Sequence, residues 1–364
     1  MSIKGTLYSD EFFNLKFFHA IERRLIKFTL SVNYPLDFRR NSHNMKKVFK
    51  KIFYSLLFLI AVICIAALVI AYLPTSWKIK NKGITPEEAA VLRQNYTGPH
   101  NTFITTDGET LFLRRWDPDS IEPAKKNIAV LIFHGFTAYS GPYSMAGIPL
   151  SKGGYTTFGL DYRGHGLSGG NRGDNRKDRW IADLAESVKF IKGLGYSKVI
   201  VLGHSLGVAA AICAADADPN DIAGLVLLSG AYEGRKGVSQ QLSFFQKMKL
   251  LSSAVFRPSY RAVEYYREGM TVSADTLWNY RYTPRFVMML DVKKLRLPSD
   301  MNIPVLVGVG DKDELFEIGK VKDFYNLIPG NQKQFFVMKN ATHAKIPLEC
   351  WEEIVAWLNK TFAS

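Results

Sequence analysis

The chain has 364 residues, 47% hydrophobic and 13% aromatic, enough for two ordinary domains or one large α/β domain with additions. Its formal charge of +14 is uneven: residues 1–51 hold eleven Lys and Arg against four acids, residues 231–300 hold twelve against six, and the remainder is close to neutral. With no recognised nucleic-acid motif, this distribution excludes a nucleic-acid partner in favour of anionic lipid, and Cys64, Cys213 and Cys350 make neither a metal spacing nor a disulfide framework, so no metal or cofactor is expected.

In chain order, residues 1–51 form a basic N-terminal segment. Within it, Glu11–Leu30 suits a basic amphipathic helix on a membrane surface. The alternative is that residues 1–44 are an extension ahead of a signal anchor opening at Met45-Lys46-Lys47. Residues 52–73 carry no charge over 22 positions, about 33 Å as a helix, which predicts one transmembrane helix. The fifteen residues before it contain six Lys and Arg and the fifteen after it three, so the N-terminus is expected on the cytoplasmic side and the rest of the chain on the non-cytoplasmic side. Residues 74–100 are expected to be a polar stalk with a short helix capped by Thr85-Pro86-Glu87-Glu88.

From residue 101 onward, β-rich runs flank the turn Asp107-Gly108, and apolar strands near 127–133, 155–160, 198–203, 222–228, 304–309 and 334–338 alternate with helical stretches. That alternation predicts an α/β domain with a mostly parallel sheet and helices on both faces. Between about 231 and 300 it is interrupted by a helical, aromatic and basic insertion, expected to lie as a cap over the carboxyl ends of the strands and to be available for anionic lipid contact.

The most informative stretch is Lys198–Ala215. Four apolar residues run into Gly203-His204-Ser205-Leu206-Gly207 and then into an Ala-rich helix, so Ser205 is predicted at the tip of a tight strand–turn–helix that leaves no room for side chains at the two glycines. A second match to the spacing, Gly166-Leu167-Ser168-Gly169-Gly170, follows no apolar strand and precedes no helix, which makes Ser168 a loop residue. A serine hydroxyl needs a base held by a carboxylate, and in this strand–turn–helix setting both follow the serine in the chain. Of seven histidines only His343 does so, in a loop past the last apolar strand. The strand 304–309 delivers Asp311 and Asp313 to the same edge. Asp313 is preferred because it stands three residues past Gly310 and just before Leu315 and Phe316. The backbone N–H groups of Phe136, in His134-Gly135-Phe136, and of Leu206 are the expected oxyanion hole, with His134 a structural loop residue.

Taken together, His134-Gly135-Phe136, Asp161–Ser168, Gly203–Gly207, Gly310–Asp313 and His343 resemble the α/β-hydrolase superfamily, in particular its monoacylglycerol lipase and lysophospholipase branch. The resemblance covers about Asn101–Phe362 and implies the α/β-hydrolase fold with a helical cap over residues 101–364. It also implies a serine hydrolase acting on a lipid ester through an acyl-enzyme, with Ser205, Asp313 and His343 as triad. The membrane span is a departure from many relatives. An aminopeptidase-type hydrolase, an acyltransferase and a non-catalytic binding module on the same fold are the alternatives.

Overall fold

The computed structural model describes residues 37–235, 242–289, 297–299 and 301–363, and the chain divides into two compact units, Met1–Ala66 and Ala67–Ser364. The expected amphipathic helix Glu11–Leu30, with the rest of residues 1–36, lies outside the described residues. The first unit holds most of helix α1 (Asp37–Tyr72). This helix starts well before the expected Ile52, because Lys46, Lys47, Lys50 and Lys51 are good helix formers and no Pro or Gly intervenes. Within Met45–Tyr72 an 18-residue stretch has mean hydropathy 2.9 and no buried residue; by length and composition this part of the helix could cross a membrane.

In the second unit, the short α2 (Pro86–Gln94) begins at the expected Thr85 with a full capping box to Glu88. The strands are β1 (His100–Ile104), β2 (Thr110–Trp116), β3 (Ile128–Phe133), β4 (Thr156–Asp161), β5 (Lys198–His204), β6 (Gly224–Leu228), β7 (Val263–Glu264), β8 (Arg281–Tyr282), β9 (Val305–Gly310) and β10 (Lys333–Met338). Eight of them form one sheet in the order β1-β2-β4-β3-β5-β6-β9-β10. It is parallel from β4 to β10, and β2 pairs antiparallel with both β1 and β4.

The central strands read as unbroken apolar runs because both faces are covered. Along β3, Ala129, Leu131 and Phe133 pack with α4 (Lys177–Gly193) and α5 (Leu206–Ala217) in one core, which also takes in Val321 and Phe324 of α8 (Ile318–Asn326). The alternate residues Ile128, Val130 and Ile132 pack on the other face with α3 (Ser144–Lys152) and α9 (Leu348–Phe362).

The insertion contributes α6 (Phe244–Phe256), the two-residue ladder β7–β8 and α7 (Pro284–Met289). The stretch expected to be a stalk is fastened to it. Lys249 Nζ donates to the carbonyls of Ala71 and Leu73, and Arg257 Nη1 donates to that of Ala71 at 3.3 Å, so two cations satisfy carbonyls at the end of α1. Further on, Glu264 accepts from the N–H groups of Lys78 and Ile79, Arg281 donates to the Ile79 carbonyl, and Asn81 donates to the carbonyls of Ser273 and Asp275. Backbone groups without partners in their own segment find them in the insertion, which sequence pattern does not reveal.

Candidate active site

The turn after β5 is forced by close approach. A Cβ on Gly203 would lie 2.2 Å from the Gly207 carbonyl oxygen, and one on Gly207 would lie 2.0 Å from that of Phe133, so only glycine fits at either position. Between them Ser205 takes φ 57° and ψ −118°, a strained conformation for a residue with a side chain, held because its N–H donates to the Leu228 carbonyl of β6. Its hydroxyl is thereby raised above the carboxyl ends of the strands at the N-terminus of α5.

His343 meets it there. The imidazole Nε2 is 3.0 Å from Ser205 Oγ, and Nδ1 is 3.2 Å from Asp313 Oδ2. A carboxylate only accepts, so the proton sits on Nδ1 and Nε2 is left to accept from the serine. Asp313 Oδ1 accepts from the N–H groups of Leu315 and Phe316 at 2.8 and 2.9 Å. Burial pushes the Asp313 carboxyl up, but the His343 hydrogen bond and charge together with these two N–H donors outweigh it, and its pKa lies below the usual carboxylate value. Asp311 is exposed, whereas Asp313 is buried, so the geometry separates the two candidates. Ser168 is buried, and both bonds of its hydroxyl are to backbone: it donates to the Asp161 carbonyl and accepts from Phe112 N–H, tying the loop after β4 to β2.

The loop after β3 lies against the serine: a Cβ on Gly135 would be 3.4 Å from Ser205 Cβ. The backbone through Gly135 and Phe136 is held on several sides. Gly135 N–H donates to Tyr143 Oη at 2.7 Å, the Gly135 carbonyl accepts from His134 Nδ1 at 2.7 Å, and the Phe136 carbonyl accepts from Tyr282 Oη at 2.7 Å. His134 Nε2 accepts from Tyr162 N–H, which fixes the proton on Nδ1, and burial pushes its pKa down to about 3. His134, expected to be structural, thus orients the peptide that carries the Phe136 N–H. Tyr143 and His204 were not expected to matter here. Tyr143 belongs to a 3₁₀ turn with no periodic signal, and the only mark on His204 is its place beside Ser205.

A cavity of about 230 Å³ opens at Ser205, lined among others by Phe136, Leu206, Ile212, Tyr232, Tyr265 and Phe324. Among the described residues its lining is apolar apart from the serine and tyrosine hydroxyls and holds no carboxylate. A larger cleft of about 300 Å³ between β10 and α9 is lined by Glu353 and Lys360 among others, with no serine, cysteine or histidine among its described lining residues. Among the described residues, no group of three or more His, Cys, Asp or Glu is placed to hold a metal ion. The arrangement can therefore do one kind of chemistry: deliver a serine oxygen to an electrophilic carbon beside an apolar chain.

Residues 124–349 match the family model Hydrolase_4, described as serine aminopeptidase, S33. The chain is 25% identical over 235 residues to a monoacylglycerol lipase of Mycolicibacterium smegmatis, covering 61% of this chain and 81% of that protein. It is 31% identical over 151 residues to the human monoglyceride lipase, covering 40% of this chain and 48% of that one. Among solved structures, a soluble variant of the Saccharomyces cerevisiae monoglyceride lipase aligns with a TM-score of 0.59 at 18% identity, over 80% of this chain and all of that one. With the family model spanning more than half of its length, the chain belongs to the Hydrolase_4 family and is an α/β-hydrolase of the monoglyceride lipase branch.

Proposed function

We propose that the protein is a membrane-anchored serine hydrolase that cleaves a lipid carboxylic ester, of the monoacylglycerol or lysophospholipid type, through an acyl-enzyme. The observation that carries this reading is the alignment of Ser205 Oγ, His343 and Asp313 at 3.0 and 3.2 Å beside an apolar cavity whose described lining holds no carboxylate. In acylation, Ser205 Oγ attacks the ester carbonyl carbon while His343 Nε2 takes its proton. The oxyanion is received by the N–H groups of Phe136 and Leu206, and the tetrahedral species collapses as His343 protonates the departing alcohol oxygen. Water then enters, gives its proton to His343, and releases the fatty acid and the free serine. Asp313 keeps the imidazole in the Nδ1–H tautomer throughout.

The membrane part rests on α1, on the six-to-three excess of basic residues ahead of the apolar span, and on the net positive insertion, which suits anionic headgroups. The N-terminus then lies in the cytoplasm and the hydrolase on the far side. An aminopeptidase, as the family description would suggest, needs a carboxylate to receive the substrate amine, and the described residues lining the cavity offer none. The test is labelling of the full chain with a fluorophosphonate, followed by turnover of monoacylglycerols, lysophospholipids and aminoacyl anilides. Labelling is expected in the parent and absent in Ser205→Ala, with acylglycerol or lysophospholipid hydrolysis exceeding anilide cleavage. Label on Ser205→Ala, or anilides as the better substrates, would overturn the proposal. Acyl transfer to added alcohols in place of free fatty acid would make the protein an acyltransferase.

A further inference from the structure

The oxyanion loop and the backbone of the base are joined by a chain of hydrogen bonds that the reaction just described does not require. Gly135 N–H lies 2.7 Å from Tyr143 Oη, Tyr143 Oη lies 2.8 Å from His204 Nδ1, and His204 Nε2 lies 2.9 Å from the carbonyl oxygen of His343. Both outer groups have fixed roles: a backbone N–H only donates and a carbonyl only accepts. Tyr143 therefore accepts at one side and has its own hydrogen for His204. His204 Nε2 must carry a proton to meet the carbonyl, since the other neutral tautomer would set a lone pair against it. Burial first, and the neighbouring His343 second, push the His204 pKa to about 3, so the doubly protonated ring is out of reach near neutrality. Only one arrangement of protons satisfies every atom, and in it each donor points from the oxyanion loop toward the base.

We infer that Tyr143 and His204 are positioning residues that couple the His134–Gly135 peptide, one link before the Phe136 N–H, to His343, so that the oxyanion site and the base are set by one buried relay. The inference rests on the proposed roles of Ser205, His343 and Phe136. Both residues are fully buried or nearly so and neither lines the cavity at Ser205, so they act through the groups they hold. A displaced oxyanion donor weakens the transition state and leaves ground-state binding almost untouched. Loss of the relay should therefore fall on kcat.

The experiment measures kcat and KM of the full chain on a short-chain p-nitrophenyl ester for the parent, Tyr143→Phe, His204→Gln, His204→Asn and the double variant Tyr143→Phe/His204→Gln, with Ser205→Ala alongside. Tyr143→Phe is expected to lower kcat on the order of 10²-fold while KM stays within about twofold. His204→Gln keeps a donor for the His343 carbonyl and His204→Asn an acceptor for Tyr143, so each is expected to lose less than Tyr143→Phe. The double variant should be no worse than about the weaker of its two parents, because a chain already broken is not broken twice. Normal kcat in Tyr143→Phe and in both His204 variants, or losses that multiply in the double, would overturn the coupling. Should Tyr143→Phe not fold by circular dichroism, the two His204 variants read the relay from its other end. If Ser205→Ala retains turnover, the reading of the site fails as a whole; if it is inactive while the relay variants work normally, only the coupling fails.

Discussion

The body of the hydrolase and its cap handle polarity in opposite ways. In the body, His134, Asp161, His204 and Asp313 are buried, and each is hydrogen-bonded to backbone groups whose positions the sheet dictates. In the cap, α6 turns Lys249, Ser252 and Ser253 inward and leaves Phe244 80% and Val255 73% exposed. A soluble helix normally does the reverse. A region that buries satisfied polar groups is built to hold geometry, and one that shows its apolar side to the outside is built to meet something apolar.

The largest expected effect comes from breaking the geometry of the body at its least replaceable point. Asp313→Asn keeps the size of the side chain but presents an amide to His343, favouring the wrong imidazole tautomer, and should cost on the order of 10⁴ in kcat with the fold intact. Asp311→Asn on the same loop should leave kcat within about twofold. Steady-state rates of the two variants decide the matter; a greater loss at Asp311 would move the acid to that residue.

The second effect tests the idea that the body is set by burial. His134 and His204 are held near pKa 3, and His165, also fully buried, lies well below its usual value, in each case first because burial disfavours the charged ring. A folded pKa below the unfolded value means that the unfolded chain binds more protons, so the full contribution is present above about pH 6.5 and is lost as pH falls below it. The thermal midpoint of the full chain should therefore decline steadily from about pH 6.5 downward. A midpoint flat to pH 4.5 would mean that these rings gain protons in the folded state.

What could be read in the sequence follows the same division. The sheet was legible because strands buried on both faces appear as continuous apolar runs, and the elbow because Gly203 and Gly207 sit where any Cβ would strike a carbonyl oxygen. His343 was legible by its place after the serine. Tyr143 was not, since it reaches His204 across 61 residues from a single turn, and a contact of that kind leaves no period in the chain. Helix α8 was missed because only Val321 and Phe324 of its nine residues are buried, too few to make a stripe. The cap was legible in composition only: strands of two residues show no alternation, and its ties to residues 71–81 run mostly through backbone groups, which are the same in every residue.

The smallest expected effect belongs to the cap, and it separates access from chemistry. Phe244, Leu251 and Val255 stand at spacings of seven and four along α6, which places them on one exposed face, and the surrounding insertion is net positive. Such a face suits the headgroup boundary of an anionic bilayer, where aromatic and aliphatic side chains enter and the cations remain at the surface. The double substitution Phe244→Asp/Val255→Asp touches nothing at Ser205, so turnover of a water-soluble short-chain ester should match the parent. Against monoacylglycerol embedded in vesicles of phosphatidylcholine with phosphatidylserine, the full-length variant should be several-fold slower. The parent should lose part of its advantage as salt rises, since screening weakens the attraction of its cations to the surface. Equal rates for parent and variant on the embedded substrate, at low salt, would mean that the exposed face of α6 takes no part in lipid contact, and would leave α1 as the candidate for any membrane association.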